Sequence, residues 1–174
     1  MSLKEDIVKE IEHAFDGVTL SYGVSINQSK IIDDNGKGYA YTNAEFLKIP
    51  RGEITENWKE IPTLQLDDLQ IAHLDALGFR YYIPALMIKL LDDYDKPSAS
   101  VESEMVIIGT LSRLHPKKGD SWKAVMSLYS ILTNEQRLAI AHFLKNLPML
   151  VTLYSEDKKV VERAYKNYWA QFIP

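Results

Sequence analysis

The sequence predicts an all-α fold, a single compact multi-helix domain spanning 1–174, and three observations carry that reading. Apolar residues recur at three- and four-residue spacing along most of the chain, the period of helices with one buried face. Capping boxes, in which a Ser or Thr and a Glu or Gln three residues on satisfy each other's backbone donors, stand at Ser25/Gln28, Thr42/Glu45 and Thr133/Gln136. The chain has 174 residues, 46% hydrophobic, which is the size of one domain able to bury a core unaided.

Leu3, Ile7, Ile11 and Phe15 lie four apart with charges between them, predicting a first helix that Gly17 ends. Val18, Leu20, Tyr22, Val24 and Ile26 then alternate with polar residues at the period of a strand. Such a strand needs partners, and Lys37–Tyr41 and Met149–Tyr154 are short and poorly bounded, so one short extended segment near 18–24 is expected instead. Short helices open at Ser25, closed by Asn35-Gly36-Lys37-Gly38, and at Thr42, where Tyr41 and Phe46 occupy the staple positions. One turn around Trp58 is closed by Pro62.

From Asp67 the pattern is helical to Leu77, with Gly78 as its stop. Pro84 suits the first turn of the next helix, whose stripe is Ile83, Met87, Leu90, Leu91 and Tyr94. Residues 95–100 form a loop, followed by a helix over Val101–Leu114 with Met105, Ile108 and Leu111 or Ser112 inward. A turn at 115–120 precedes a short helix marked by Trp122, Val125, Met126 and Tyr129. Thr133 opens a longer one with Leu138, Ala141, Leu144 or Lys145 and Leu147 inward, limited by Pro148, and a C-terminal helix occupies about 155–170.

Charge is divided unevenly: residues 1–100 hold 10 Lys and Arg against 17 Asp and Glu, and residues 101–174 hold 10 against 7. An acidic chain without a basic cluster is not built for nucleic acid, and its acidic half is either a solvated face or one that recruits a basic partner. No apolar run approaches a membrane span, and the first residues lack the basic head and apolar stretch of a signal peptide, so a cytoplasmic location is expected.

Chemistry-bearing patterns are sparse. There are no cysteines, and the four histidines, His13, His73, His115 and His142, lack the spacing of a zinc helix. Glu10 and His13 have the spacing of half a di-iron site but lie off the apolar face of their helix. Gly23-Val24-Ser25 lacks the last glycine of a nucleophile elbow, and Gly36-Lys37-Gly38 is a turn, not a phosphate loop. No metal and no cofactor is therefore expected. The densest unusual run is Gly78-Phe79-Arg80-Tyr81-Tyr82-Ile83-Pro84-Ala85. A planar, always-charged guanidinium among aromatics either locks an internal acid, with Asp33, Asp34 and Asp75 as candidates, or clamps an anionic group. Trp58, Trp122 and the Tyr81/Tyr82 pair either line an apolar pocket or fill the core.

Residues 23–34 (Gly-Val-Ser-Ile-Asn-Gln-Ser-Lys-Ile-Ile-Asp-Asp), 57–62 (Asn-Trp-Lys-Glu-Ile-Pro), 78–85 and 132–144 (Leu-Thr-Asn-Glu-Gln-Arg-Leu-Ala-Ile-Ala-His-Phe-Leu) together resemble a family of uncharacterised, mainly bacterial proteins classed as a domain of unknown function. The resemblance spans about 5–147 and leaves out the tail after Pro148. It implies an intracellular helical domain and transfers no activity, and it directs attention to Asp33, Trp58, Arg80 and Tyr81.

Asp33, Asp34, Trp58, Phe79, Arg80, Tyr81 and Tyr82 thus form the candidate binding or structural cluster, with no catalytic residue assigned. The leading expectation is a non-catalytic interaction or small-ligand binding module whose partner is a protein or a small anionic ligand, one form being an immunity-type neutraliser. The alternatives are an enzyme whose acid/base groups converge around Asp33, Arg80 and Tyr81, and a structural homo-oligomer assembled through the C-terminal aromatic helix.

Overall fold

The computed structural model describes residues 2–36, 42–119 and 121–174. Among them the α-helices are α1 (Leu3–Ala14), α2 (Ile26–Asp34), α3 (Asn43–Phe46), α4 (Thr63–Leu66), α5 (Ala76–Asp93), α6 (Val101–Arg113), α7 (Ser121–Tyr129), α8 (Asn134–Leu150) and α9 (Ser155–Asn167), joined by 3-10 turns at Trp58–Glu60, Ile71–His73 and Trp169–Phe172. No strand occurs among the described residues. No helix among them is long and apolar enough to cross a membrane.

The centre is α5, which packs against α1, α6, α7, α8 and the Trp58 turn. Its sequence explains that place: Phe79, Tyr81, Tyr82, Ile83, Leu86, Met87, Leu90 and Leu91 are all buried, and a helix apolar on every side has to be surrounded. Around it α1 lies on α8, and α8 carries α9 and the C-terminal turn. Trp169 from that turn is wholly buried, donates its indole N–H to the Leu114 carbonyl at 2.7 Å, and packs against Tyr129, Tyr168 and Phe172. The C-terminal aromatic cluster thus packs onto the domain's own core, with Trp169 fully buried and Tyr168 and Phe172 partly so.

Capping boxes form at Ser25 and Thr133, and Thr42 and Glu45 exchange the same pair of bonds. Tyr41, the expected staple, and the 37–41 segment lie outside the described residues. Within 18–24 the expected alternation buries Val18, Leu20 and Val24, but Ser21 at φ 51 turns the chain and Tyr22 is 88% exposed. Leu3 is 42% exposed, so the first helix buries Ile7 and Ile11 and hands the core over to Phe15.

Three expectations are corrected. The predicted helix over 67–77 does not form: a turn and loop follow α4, the Ile71–His73 turn comes next and α5 begins at Ala76, so Gly78 lies in the first turn of α5 instead of stopping a helix. The Asp75 carboxylate caps α5 by accepting from Gly78 N–H at 2.8 Å, and it also accepts from Val24 N–H at 3.0 Å. A Cβ on Gly78 would stand 2.9 Å from the Val24 carbonyl oxygen, so this glycine permits the extended segment to lie against the helix start. Pro84 and Pro148 sit inside α5 and α8, because burial on several sides outweighs the one backbone bond that each proline removes. Finally, α6 is rotated relative to its predicted stripe. Ser103, Val106, Thr110 and Leu111 face inward, while Met105 and Ile108 are exposed. The inward face is small: Thr110 satisfies its own hydroxyl on the Val106 carbonyl at 2.8 Å, and a Cβ on Gly109 would come within 3.2 Å of Ile71. Close approach to the Ile71–His73 turn selects that face over the greasier one.

Candidate functional site

The residues of the predicted cluster fall into two groups. Trp58, Phe79, Tyr81 and Tyr82 are buried. The Trp58 indole donates to the Phe15 carbonyl at 2.8 Å, and the Phe79 ring lies 5.4 Å from that of Tyr129. Tyr81 donates to the Thr55 carbonyl, Tyr82 accepts from Ile26 N–H at 3.2 Å, and the two rings meet edge to face at 4.9 Å. Burial pushes both phenols up, Tyr82 to about 12. Trp58, Tyr81 and Tyr82 tie down the chain at 15, 55 and 26, while Phe79 packs α5 against α7.

Asp33 and Asp34 form the second group, exposed at the end of α2, where Asp33 meets His73 Nε2 at 3.0 Å. Arg80 is half-buried, and among the described residues it has no ion pair and its Nε no hydrogen-bond partner. None of Asp33, Asp34 or Asp75 receives its guanidinium, since Asp75 is committed to two backbone N–H groups. No group of three metal-ligating side chains occurs among the described residues, and Glu10 pairs with His142 Nδ1 at 2.7 Å.

A different constellation occupies the C-terminal half of α5. Lys89 is only 5% exposed, and its ammonium lies 3.0 Å from Asp93 Oδ2, one turn on, and 3.2 Å from Asp67 Oδ1, in the turn after α4. A cation this deep is retained only when paired. Burial works against the Asp93 carboxylate, but hydrogen bonds and charge from Lys89 and Lys96 outweigh it and hold the group below its ordinary value. Beside them Tyr94 donates to Asp157 Oδ2 at 2.5 Å and accepts from Tyr154 N–H at 2.9 Å, pinning α9 to α5, and its phenol is pushed up by burial and by that carboxylate.

This charged knot separates two cavities. One of about 370 Å³ is lined by Trp58, Lys59, Ile61, Ile88 and Lys89, among others. The second, about 340 Å³, runs from Leu64 past Lys89 and Tyr94 to Ile107, Ile108 and Tyr154. A third, about 350 Å³, opens on the other flank of α6 between Leu69–Ala72 and Val101, Met105 and Val106. The outer edge of α6 therefore stands as a ridge between two grooves. Its crest is Val101, Met105 and Ile108, 71%, 61% and 44% exposed, at the i, i+4, i+7 spacing of a packing helix. Leu64 and Tyr154, on the wall of the second groove, are 76% and 75% exposed. These five are a majority of the large exposed apolar side chains among the described residues, and monomeric proteins seldom gather them on one face.

Sequence reasoning found the crest and faced it the wrong way. The available signal was Thr110 on the opposite side and Gly109 on the flank of the crest, together with Glu102 and Glu104 beside Val101 and Met105, since acids are not at home on an inward face.

The described residues thus form a small all-α domain with a charged knot at the C-terminal half of α5 and an apolar ridge on α6 flanked by grooves. The chain belongs to a family of unknown function (DUF6714), whose model matches residues 3–173. That match runs past Pro148 through α9, so the tail omitted from the sequence resemblance lies within the family's span. Neither curated proteins nor solved structures gave a match.

Proposed function

We propose that this chain is a non-catalytic interaction module that binds a partner protein through the outer face of α6. The observation that carries the reading is the exposed crest Val101, Met105 and Ile108 between two grooves, on a helix whose other face is already packed. Burying three such side chains on a partner is worth several kcal/mol, and water gives nothing comparable in return. The arrangement of the predicted cluster favours binding over catalysis, because Tyr81 is committed to a backbone carbonyl and Asp33 to His73. An immunity-type neutraliser, with a basic partner held against an acidic chain, is one form of such a module.

The test is capture of a partner from cells expressing the tagged chain, in parallel with the triple variant Val101→Ser, Met105→Ser and Ile108→Ser, followed by hydrogen exchange on the complex. The expected result is a protein retained by the wild type and lost by the variant, with protection gained over 101–108. Equal retention by the variant, or protection confined to another face, refutes the reading.

A further inference from the structure

We infer that the occupant of the α6 ridge is an amphipathic helix of a partner protein that carries Lys or Arg along the edges of its apolar face. This rests on the proposed interaction surface and specifies its partner. Shape comes first. A crest at i, i+4, i+7 with a groove on each side is the complement of a second helix, whose own apolar rows drop into the grooves while the crest fills the space between them.

Charge decides the sign. The two grooves are lined by five carboxylates and two lysines. Both lysines are taken: Lys89 lies between Asp67 and Asp93, and Lys96 is 3.3 Å from Asp93. Glu102 and Glu104, exposed beside the crest, have no ion pair among the described residues. Cations placed along the incoming helix meet these unspent charges at the rim, where complementarity sets register and association rate. The same acids disfavour the two other ways of covering the ridge. A second copy related by a twofold axis would bring Glu102 and Glu104 toward their own equivalents, and an anionic lipid surface would be repelled.

The probe is a fluorescent Leu/Lys amphipathic peptide of about 18 residues, five helical turns, compared with a Leu/Glu peptide of the same apolar pattern, by anisotropy against the full chain. The expected result is Leu/Lys binding at least about tenfold tighter than Leu/Glu at low salt, a preference that shrinks as salt screens the rim. The triple serine variant should lose about tenfold or more for Leu/Lys, and Glu102→Lys with Glu104→Lys should reverse the preference. All substitutions are at exposed positions, so each variant should melt close to the wild type, which separates lost binding from lost folding.

Weakening by the triple variant without any preference between the peptides overturns the basic helix and leaves the α6 surface standing. No effect of the triple variant on either peptide, or on partner capture, overturns both. Light scattering that finds a dimer dissolved by the triple variant, or binding to anionic vesicles lost in it, assigns the ridge to those occupants and overturns the inference.

Discussion

Replacing Lys89 by Met keeps most of the volume of the side-chain stem and removes the charge between Asp67 and Asp93. Breaking a fully buried pair costs about 3–5 kcal/mol, chiefly because the abandoned charge stays desolvated. Here the Lys89 side chain is 4% exposed, Asp67 13% and Asp93 28%, and Lys96 continues to serve Asp93, so water and a second cation take up part of the load. The expected loss is therefore about 2–3 kcal/mol at neutral pH, a fall in melting midpoint of about 5–10 °C for a chain of this length. The sign with pH follows from Asp93. In the wild type its folded value lies below the ordinary 3.8, so its contribution is present above that value and lost as pH falls through the depressed one. In the variant two carboxylates share a site with one cation fewer, protonation relieves them, and acid harms the variant less. Circular-dichroism melts from neutral pH down to about pH 4 should show the gap between the two proteins narrowing as the carboxylates protonate. Adding Asp67→Asn and Asp93→Asn should restore most of the loss at neutral pH, since neutral amides need no cation. A Lys89→Met protein that melts with the wild type at neutral pH, or a gap that widens in acid, would refute the account of this knot.

Two further predictions concern the core. A Cβ on Gly23 would stand 2.6 Å from the Gly78 backbone nitrogen, which cannot yield without moving α5, so Gly23→Ala should cost about 2–3 kcal/mol in urea unfolding. Gly17→Ala, with nothing within 4 Å and only a left-handed φ of +70, should cost about 1 kcal/mol, and equal losses would show that close approach is not what Gly23 provides. In alkali, burial pushes Tyr82 up to about 12 and raises Tyr81 and Tyr129 as well, from an ordinary 10. Folded values above unfolded ones mean stability intact below pH 10 and lost as pH rises toward and past 12. Absorbance titration should find these phenolates appearing together with unfolding, and ionisation of all ten tyrosines with near-UV dichroism intact would contradict that.

Much of the fold was legible because its signals are local. The capping boxes at Ser25 and Thr133, the Trp58 turn and the 95–100 loop depend on residues within a few positions of one another, and all are present. The misreadings share a cause. Gly78 reads as a helix stop until Val24, far away in sequence, arrives against it, and Pro84 reads as a helix start until α5 is enclosed on all sides. Of the candidate site, the aromatics were legible as a group, but their burial was not. Nothing in a single sequence says whether Arg80 meets an acid, and Asp75, the nearest candidate in the chain, turns out to be capping a helix.

The sequence by itself determined that this is one all-helical chain, that it has no cysteine chemistry, and where most of its helices begin, because period, composition and caps act over a turn or two of backbone. Only the tertiary structure decided which way each helix faces. On α6 two stripes compete, one greasy and one small. Turning the helix by a fraction of a turn puts Gly109 against Ile71, buries Thr110, and leaves Val101, Met105 and Ile108 outside. That choice is set by how closely two backbones can approach, a property of the pair of elements and of neither alone. The surface proposed to bind a partner exists because close packing won over greater apolar burial at that one interface.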